Sequence, residues 1–283
     1  MLISVIIVAY NSDVDKLNTI LGALDFSVRY IIVDNSTDLE RRSDINHFCT
    51  KSGAIYVPMI GNVGIASAQN AGLAKAIELN STDILFLDDD SIPDPSMLSV
   101  LLSGRNKCAT LIQNMPIVCA NAVNVSGENL SVFGDSLSDG IYACRDLISS
   151  GTLINVCHIE SVGLFEDKLF IDCVDFEWGW RALSLGFHIY IIENAKLNHC
   201  LGDGVANVIP MKYPSPIRHY YQYRNILYMF CRPYAPLKWK LSQLAKLPVK
   251  FLLILFLLDE KKKRATYALK GVVDFFKNKY GSF

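Results

Sequence analysis

The 283-residue sequence is most informative at first for what it lacks. Its eight cysteines include no C-x-x-C pair, so it offers neither the usual zinc-ligand spacing nor a redox dithiol motif. Several cysteines lie inside apolar runs ("IVCANAV", "FIDCVDF"), as buried, reduced thiols of a cytosolic protein do. No apolar run approaches eighteen residues; the longest, 251–258, is too short to cross a bilayer. The N-terminal "MLISVIIVAYNS" lacks a basic n-region and a small-residue cleavage site, so it reads as a strand rather than a signal peptide. There are no repeats and no low-complexity segments. Only 19% of residues are charged and the net charge is −1, a poor match to a nucleic-acid binder. With 51% hydrophobic residues the chain can bury a large core, which excludes general disorder.

The small net charge hides an uneven distribution. Residues 234–283 hold eleven Lys and Arg against three Asp and Glu, leaving −9 on residues 1–233. A basic tail behind an acidic body points to an anionic surface, and a membrane is the natural one. Composition breaks near Arg232-Pro233. The expected organisation is therefore a catalytic domain over 1–232, with halves of about 1–115 and 116–232, and a basic, apolar helical tail over 233–283. In the tail, "LPVKFLLILFLLDEKKKR" sets apolar residues against a lysine cluster. Ala265, Ala268, Leu269, Val272 and Phe276 then share one helical stripe, as an interfacial helix requires. Packing on the catalytic domain is the alternative use of that stripe.

Residues 2–9, "RYIIVDNS", "GAIYVP" and "DILFLDDD" read as buried strands, separated by helical stretches that include "NVGIASAQNAGLAKAIELN". Strand–helix alternation of this kind describes a doubly wound, mainly parallel sheet. In "DPSMLSVLL", Asp94 at the N-cap and Pro95 at N1 predict a short helix. Residues 117–157 predict short strands extending the sheet, 174–188 a helix ending at Gly186, "HIYIIENAKLNHC" two short strands, and 216–230 a helix rich in aromatics.

Three strand ends carry polar side chains: Ala9-Tyr10-Asn11, Asp34-Asn35, and Asp88-Asp89-Asp90. In an open α/β sheet, ligands gather at that edge. Three adjacent carboxylates after "ILFL" are tolerable only in water or beside positive charge. Asp88 and Asp90, two residues apart, can converge on one hard cation, and Mg²⁺ or Mn²⁺ with diphosphate oxygens suits such ligands. A solvated turn or a structural calcium loop would explain the same residues.

The ordered set "SVIIVAYN", "IIVDNS", "GNVGIASAQNAGL", "ILFLDDDSIPDP", "FIDCVDFEWGWRALSLGF" and "NHCLGDG" resembles the GT-A glycosyltransferases of family 2. "HCLGDG" and "RHYYQYRN" are most similar to bacterial rhamnosyltransferases of polysaccharide assembly, which use dTDP-rhamnose. The resemblance implies a GT-A, Rossmann-like mixed sheet flanked by helices, with the tail as a membrane-associating segment. It also implies roles. Ala9, Tyr10 and Asn11 would line the nucleotide pocket, and Asp34 would accept the imino N–H of a pyrimidine, as an acceptor-only carboxylate can. Asn62, Gly64, Asn70, Asp88 and Asp89 would pass the nucleotide sugar, with Gly64 permitting close backbone approach; capping and packing would equally occupy Asn70. Asp88, Asp90 and His199 would bind Mn²⁺ or Mg²⁺, an imidazole favouring Mn²⁺.

Asp175 would be the catalytic base. Transfer with inversion needs one carboxylate to deprotonate the acceptor hydroxyl, while the metal carries the charge of the leaving diphosphate. Asp172 is its rival, and Asp175 could also cap the helix that follows. Glu177, Trp178, Arg218, Tyr221 and Arg224 would touch the acceptor, arginine being suited to phosphate; an aromatic core with solvated arginines is the plainer alternative. Residues 202–204 would form a loop over the donor. The expected reaction is inverting, metal-dependent transfer of rhamnose to a lipid-linked oligosaccharide by a cytoplasmic enzyme peripheral to the inner face of the plasma membrane. The rivals are a galactofuranose or hexose donor, a nucleotidyltransferase, and a non-catalytic partner protein. A nucleotidyltransferase would need a glycine-rich basic loop where "AYNSDVDK" stands.

Overall fold

The computed structural model describes residues 1–124, 128–199 and 214–283, with only the backbone of His199. Chain order begins β1 (Ile3–Ala9), α1 (Val14–Leu21), β2 (Arg29–Asp34), α2 (Leu39–Ser52), β3 (Ile55–Pro58), α3 (Ile65–Glu78) and β4 (Asp83–Asp88). All seven residues of β1 are buried. The two-residue period of a strand sends Val5, Ile7 and Ala9 to one face, among Leu17, Ile20 and Leu98. Ile6 and Val8 go to the other, among Ala66, Leu73 and Trp178. Burial on both faces is why the strand reads as one apolar run rather than an alternation. β1 pairs in parallel with β2 and β4, and β2 with β3.

Next come β5 (Ser91–Pro93), α4 (Met97–Ile112), β6 (Ile117–Val123), β7 (Ser136–Ser138), β8 (Ile141–Ala143), β9 (Thr152–Asn155), α5 (Val156–Val162), α6 (Val174–Ser184) and β10 (Ile189–His199). The sheet order is β3-β2-β1-β4-β9-β6-β10-β8-β7, with β5 added to β10. β9 runs antiparallel between β4 and β6 and joins the two halves of the sheet. The expected mixed, mainly parallel sheet is what forms. Two local expectations need correction. Asp94 does not cap α4: its carboxylate takes the N–H and hydroxyl of Ser96 in a turn, and the helix starts at Met97 and runs sixteen residues. The segment after Gly186 is not two strands but one, β10. A register shift between Ile192 and Lys196 lets it absorb "ENA" while pairing with β6 on both sides of it.

The chain ends with α7 (Arg218–Phe230), α8 (Leu237–Phe256) and α9 (Lys261–Phe276). α9 lies along α7 at very short range: a Cβ on Gly271 would stand 2.3 Å from the Tyr220 carbonyl oxygen. Backbone cannot yield as a side chain does, so Gly271→Ala is expected to force the helices apart and destabilise the protein by about 3 kcal/mol. Thermal unfolding of the variant checks this. No helix among the described residues is long and apolar enough to cross a membrane. Cys49, Cys108, Cys119 and Cys144 are buried, whereas Cys157 and Cys231 are exposed.

Candidate active site

The ends of β1, β2 and β4 meet at one edge of the sheet, and their polar residues are cross-linked before any ligand arrives. Asn11 adopts a left-handed φ of 52°. Its Oδ1 accepts from the N–H groups of Thr37 and Asp38, and its own N–H donates to Ser36 Oγ at 2.8 Å. Asp34 is fully buried. Its Oδ1 accepts from Ser36 N–H at 3.0 Å, its Oδ2 from the Tyr56 hydroxyl at 2.7 Å, and Arg42 lies 3.7 Å away. Burial and that carboxylate push the Tyr56 hydroxyl up to about 12. Asn62 Oδ1 accepts from Asn35 Nδ2 and from Gly64 N–H. Tyr10 is half exposed beyond buried Ala9, and Asn62, Thr37 and Asp38 are exposed beside it.

Within the acidic triplet the three carboxylates have separate environments. Asp89 Oδ2 accepts from Tyr10 N–H and the Ser12 hydroxyl, stapling the β1 loop to the β4 loop. Asp90 accepts from the Ser91 hydroxyl at 3.4 Å. Asp88 borders a cavity of about 370 Å³ that Asp175, Ser149, Asp172 and Arg218 also line. Burial foremost, then the negative charges of Asp175, Asp90 and Asp89, push the Asp88 carboxyl up to about 8. This corner thus gathers negative charge with oxygen ligands only, a set that fits a hard divalent cation. Among the described residues no three Asp, Glu, His or Cys side chains close around one point. The side chain of His199 and residues 202–204 lie outside the described residues.

Asp175 sits in the first turn of α6, whose cap position is Cys173, so it is not the cap. Burial pushes the Asp175 carboxyl up, and the backbone N–H and hydroxyl of Ser149 beside it pull the other way. Burial wins, and the carboxyl is pushed up to about 6. Gln69 Nε2 donates to Ser149 Oγ at 3.0 Å. The neighbouring Ser150 Oγ accepts from Asp88 N–H at 3.0 Å. Sequence reasoning passed over Gln69, Ser149 and Ser150; the only signal was the pair of serines before Gly151, small polar residues leading into a strand. Asp172 is held by Arg218, whose Nε and Nη2 reach its carboxylate at 2.9–3.2 Å.

Several residues expected at the ligand serve the fold instead. Asn70 grips the backbone of Phe165 from both sides, donating to its carbonyl and accepting from its N–H, each at 2.9 Å. The close approach at Gly64 is to Phe170, where a Cβ would meet the backbone at 2.6 Å. Glu177 is buried, paired with Arg181 and accepting from the Tyr234 hydroxyl. Trp178 is buried and donates to the Gly163 carbonyl. Tyr221 stacks on Phe170, and its hydroxyl accepts from Phe283 N–H. Arg224 is fully buried and donates to the carbonyls of Lys168, Leu169 and Gly281. Of the five expected acceptor contacts, only Arg218 lines the cavity.

Residues 4–123 match the family model described as glycosyl transferase family 2. The dTDP-rhamnosyl transferase RfbF of Shigella flexneri is 28% identical over 253 residues, covering 82% of this chain and 81% of that protein. Among solved structures, S. aureus TarS 1-349 in complex with UDP-GlcNAc aligns over 99% of this chain and 82% of its own, with TM-score 0.58 and 16% identity. GalNAc-T7 with UDP, GalNAc and Mn²⁺ aligns over 98% of this chain and 56% of its own, with TM-score 0.59 and 13% identity.

Proposed function

We propose that this chain, whose residues 4–123 match the glycosyl transferase family 2 model, is a glycosyltransferase that moves rhamnose from dTDP-rhamnose to a lipid-linked saccharide with inversion. The observation that carries the mechanism is that Asp88 and Asp175 line one and the same cavity. The donor assignment is supported by likeness to the Shigella rhamnosyl transferase.

In this reading the diphosphate lies by Asp88 and Asp90 and the acceptor hydroxyl faces Asp175. When bound there, a divalent cation such as Mn²⁺ would supply charge neutralisation for the leaving nucleotide. Asp175 takes the proton from the acceptor hydroxyl as the hydroxyl oxygen attacks the anomeric carbon from the face opposite the departing diphosphate. With a pKa near 6 it is ionised at neutral pH yet basic enough to share a proton in the transition state. Ser149, which lines the same cavity, favours the ionised carboxylate through its N–H and hydroxyl. Arg218, half exposed on the cavity wall, is placed to meet an anionic part of the acceptor once it leaves Asp172.

Residues 1–232 then act as the catalytic unit and 233–283 as its membrane-facing part. α8 leaves Leu241, Leu244, Val249, Leu252 and Phe256 exposed, and α9 adds Leu269, Val273 and Phe276. Lys246, Lys250, Lys261 and Lys262 flank these apolar faces in sequence. Apolar contact beside lysines is what binding to anionic lipid requires, and it would bring the cavity to a lipid-linked acceptor at the cytoplasmic face of the membrane.

A hydrolysis screen over nucleotide sugars, with and without Mn²⁺, tests the reading. Release of dTDP from dTDP-rhamnose at least tenfold faster than nucleotide release from UDP-hexoses or UDP-galactofuranose, and only with metal, is the expected result. Preference for another sugar nucleotide removes the donor assignment. Equal rates without metal remove the role given to Asp88 and Asp90.

A further inference from the structure

The backbone that delivers Asp175 to the cavity is strained. Phe170 has φ 65° and ψ −61°, and Asp172 and Cys173 both have φ 65°. Three non-glycine residues with positive φ within four positions is an arrangement that a free loop would abandon. Neighbouring structure must hold it.

The restraint comes from two adjacent residues of α7. Asn225 is fully buried, and its side-chain amide shares its two N–H groups among the carbonyls of Leu169, Ile171 and Asp172, at 2.8, 2.7 and 3.0 Å. Arg224 Nη2 takes the carbonyls of Lys168 and Leu169, and its Nε donates to Asn225 Oδ1 at 3.0 Å. That last bond fixes which way the Asn225 amide points. Ile65 N–H holds the Phe170 carbonyl at 2.7 Å, and the Phe170 ring stacks on Tyr221 at 4.8 Å. Every backbone carbonyl from Lys168 to Asp172 therefore has a donor, three of them on one asparagine.

We infer that Asn225 is a positioning residue for the transfer reaction: by gathering three carbonyls of the 169–172 turn it stabilises the left-handed backbone that aims Asp172 and Asp175 into the cavity. The inference rests on the proposed role of Asp175 as base. It assigns Asn225 no contact with substrate, so its loss should affect the chemical step more than donor binding, since the nucleotide corner belongs to β1, β2 and β4.

The test uses the full chain and the slow hydrolysis of dTDP-rhamnose, with water in the acceptor's place. Asn225→Ala is expected to lower kcat at least thirtyfold, while KM and the calorimetric Kd for dTDP stay within threefold. Adding Cys173→Gly, which permits a positive φ without strain, should recover at least threefold of the lost rate. Should Asn225→Ala fail to fold, Asn225→Ser retains one donor and should give the same division at smaller size. The inference is overturned by a folded variant whose kcat stays within twofold, by equal losses in kcat and dTDP affinity, by no recovery with Cys173→Gly, or by neither variant folding. Asp175→Asn, run in parallel, separates the two ideas. If it keeps full rate the base assignment fails; if it loses rate while Asn225→Ala does not, only the positioning role fails.

Discussion

Asp175→Asn is expected to lower the transfer rate by about 10²–10⁴-fold, the usual contribution of a general base, with dTDP affinity unchanged. The pH dependence should identify the same group. At saturating Mn²⁺, which would hold Asp88 ionised, the Asp175 carboxyl, raised by burial to about 6, should make the rate climb tenfold per pH unit up to about pH 6 and level off above it. Stability should move the other way. A carboxyl whose folded pKa exceeds its unfolded value of 3.8 favours the fold fully below that value and loses this contribution as pH rises through about 6. Above pH 6 the ionised Asp175 therefore costs on the order of 2–3 kcal/mol. Asp175→Asn should unfold at a higher temperature than the parent at pH 7.5 and show no such advantage at pH 4. An inactive variant without that gain would leave Asp175 needed but not destabilised by its burial.

Removing the divalent ion is the second large effect. If the proposed mechanism holds, chelation should lower transfer at least about a hundredfold and added Mn²⁺ should restore it, since a cation bound by Asp88 and Asp90 would neutralise the leaving diphosphate. Asp90→Asn should raise the Mn²⁺ needed for half-maximal rate at least about tenfold, as loss of metal-site groups commonly does. Asp89→Asn makes the contrasting case. Its oxygen binds Tyr10 N–H and the Ser12 hydroxyl, so the change should loosen the junction of the β1 and β4 loops and weaken dTDP binding. Full activity in Asp90→Asn at unchanged Mn²⁺ would contradict the division of labour within the triplet.

The strands that carry the polar corner are legible in the sequence because burial on both faces leaves unbroken runs such as "SVIIVA" and "DILFL". The polar residues that end them fall at one edge for the topological reason that β1, β2 and β4 are parallel neighbours. Roles that depend on distant partners are not legible. Arg224 in "YRN" looks like a phosphate ligand, yet it serves carbonyls more than fifty residues away. Gly64 does announce a close approach, but nothing local says that the approaching group is Phe170. Asn70 is a similar case, its two bonds to Phe165 spanning 95 residues. Ser149 and Ser150 escape notice because serine is common in turns, and only the path of β9 brings them between Asp88 and Asp175. The start of α4 was misplaced because Asp94 and Pro95 satisfy the grammar of a cap and of a turn equally well.

β9 has a last consequence. Four residues long, it is zipped to β4 on one side and β6 on the other, so no crease separates the strands that carry the polar corner from those beyond. The enzyme cannot work like a pair of jaws. The two halves share one continuous platform beneath the cavity.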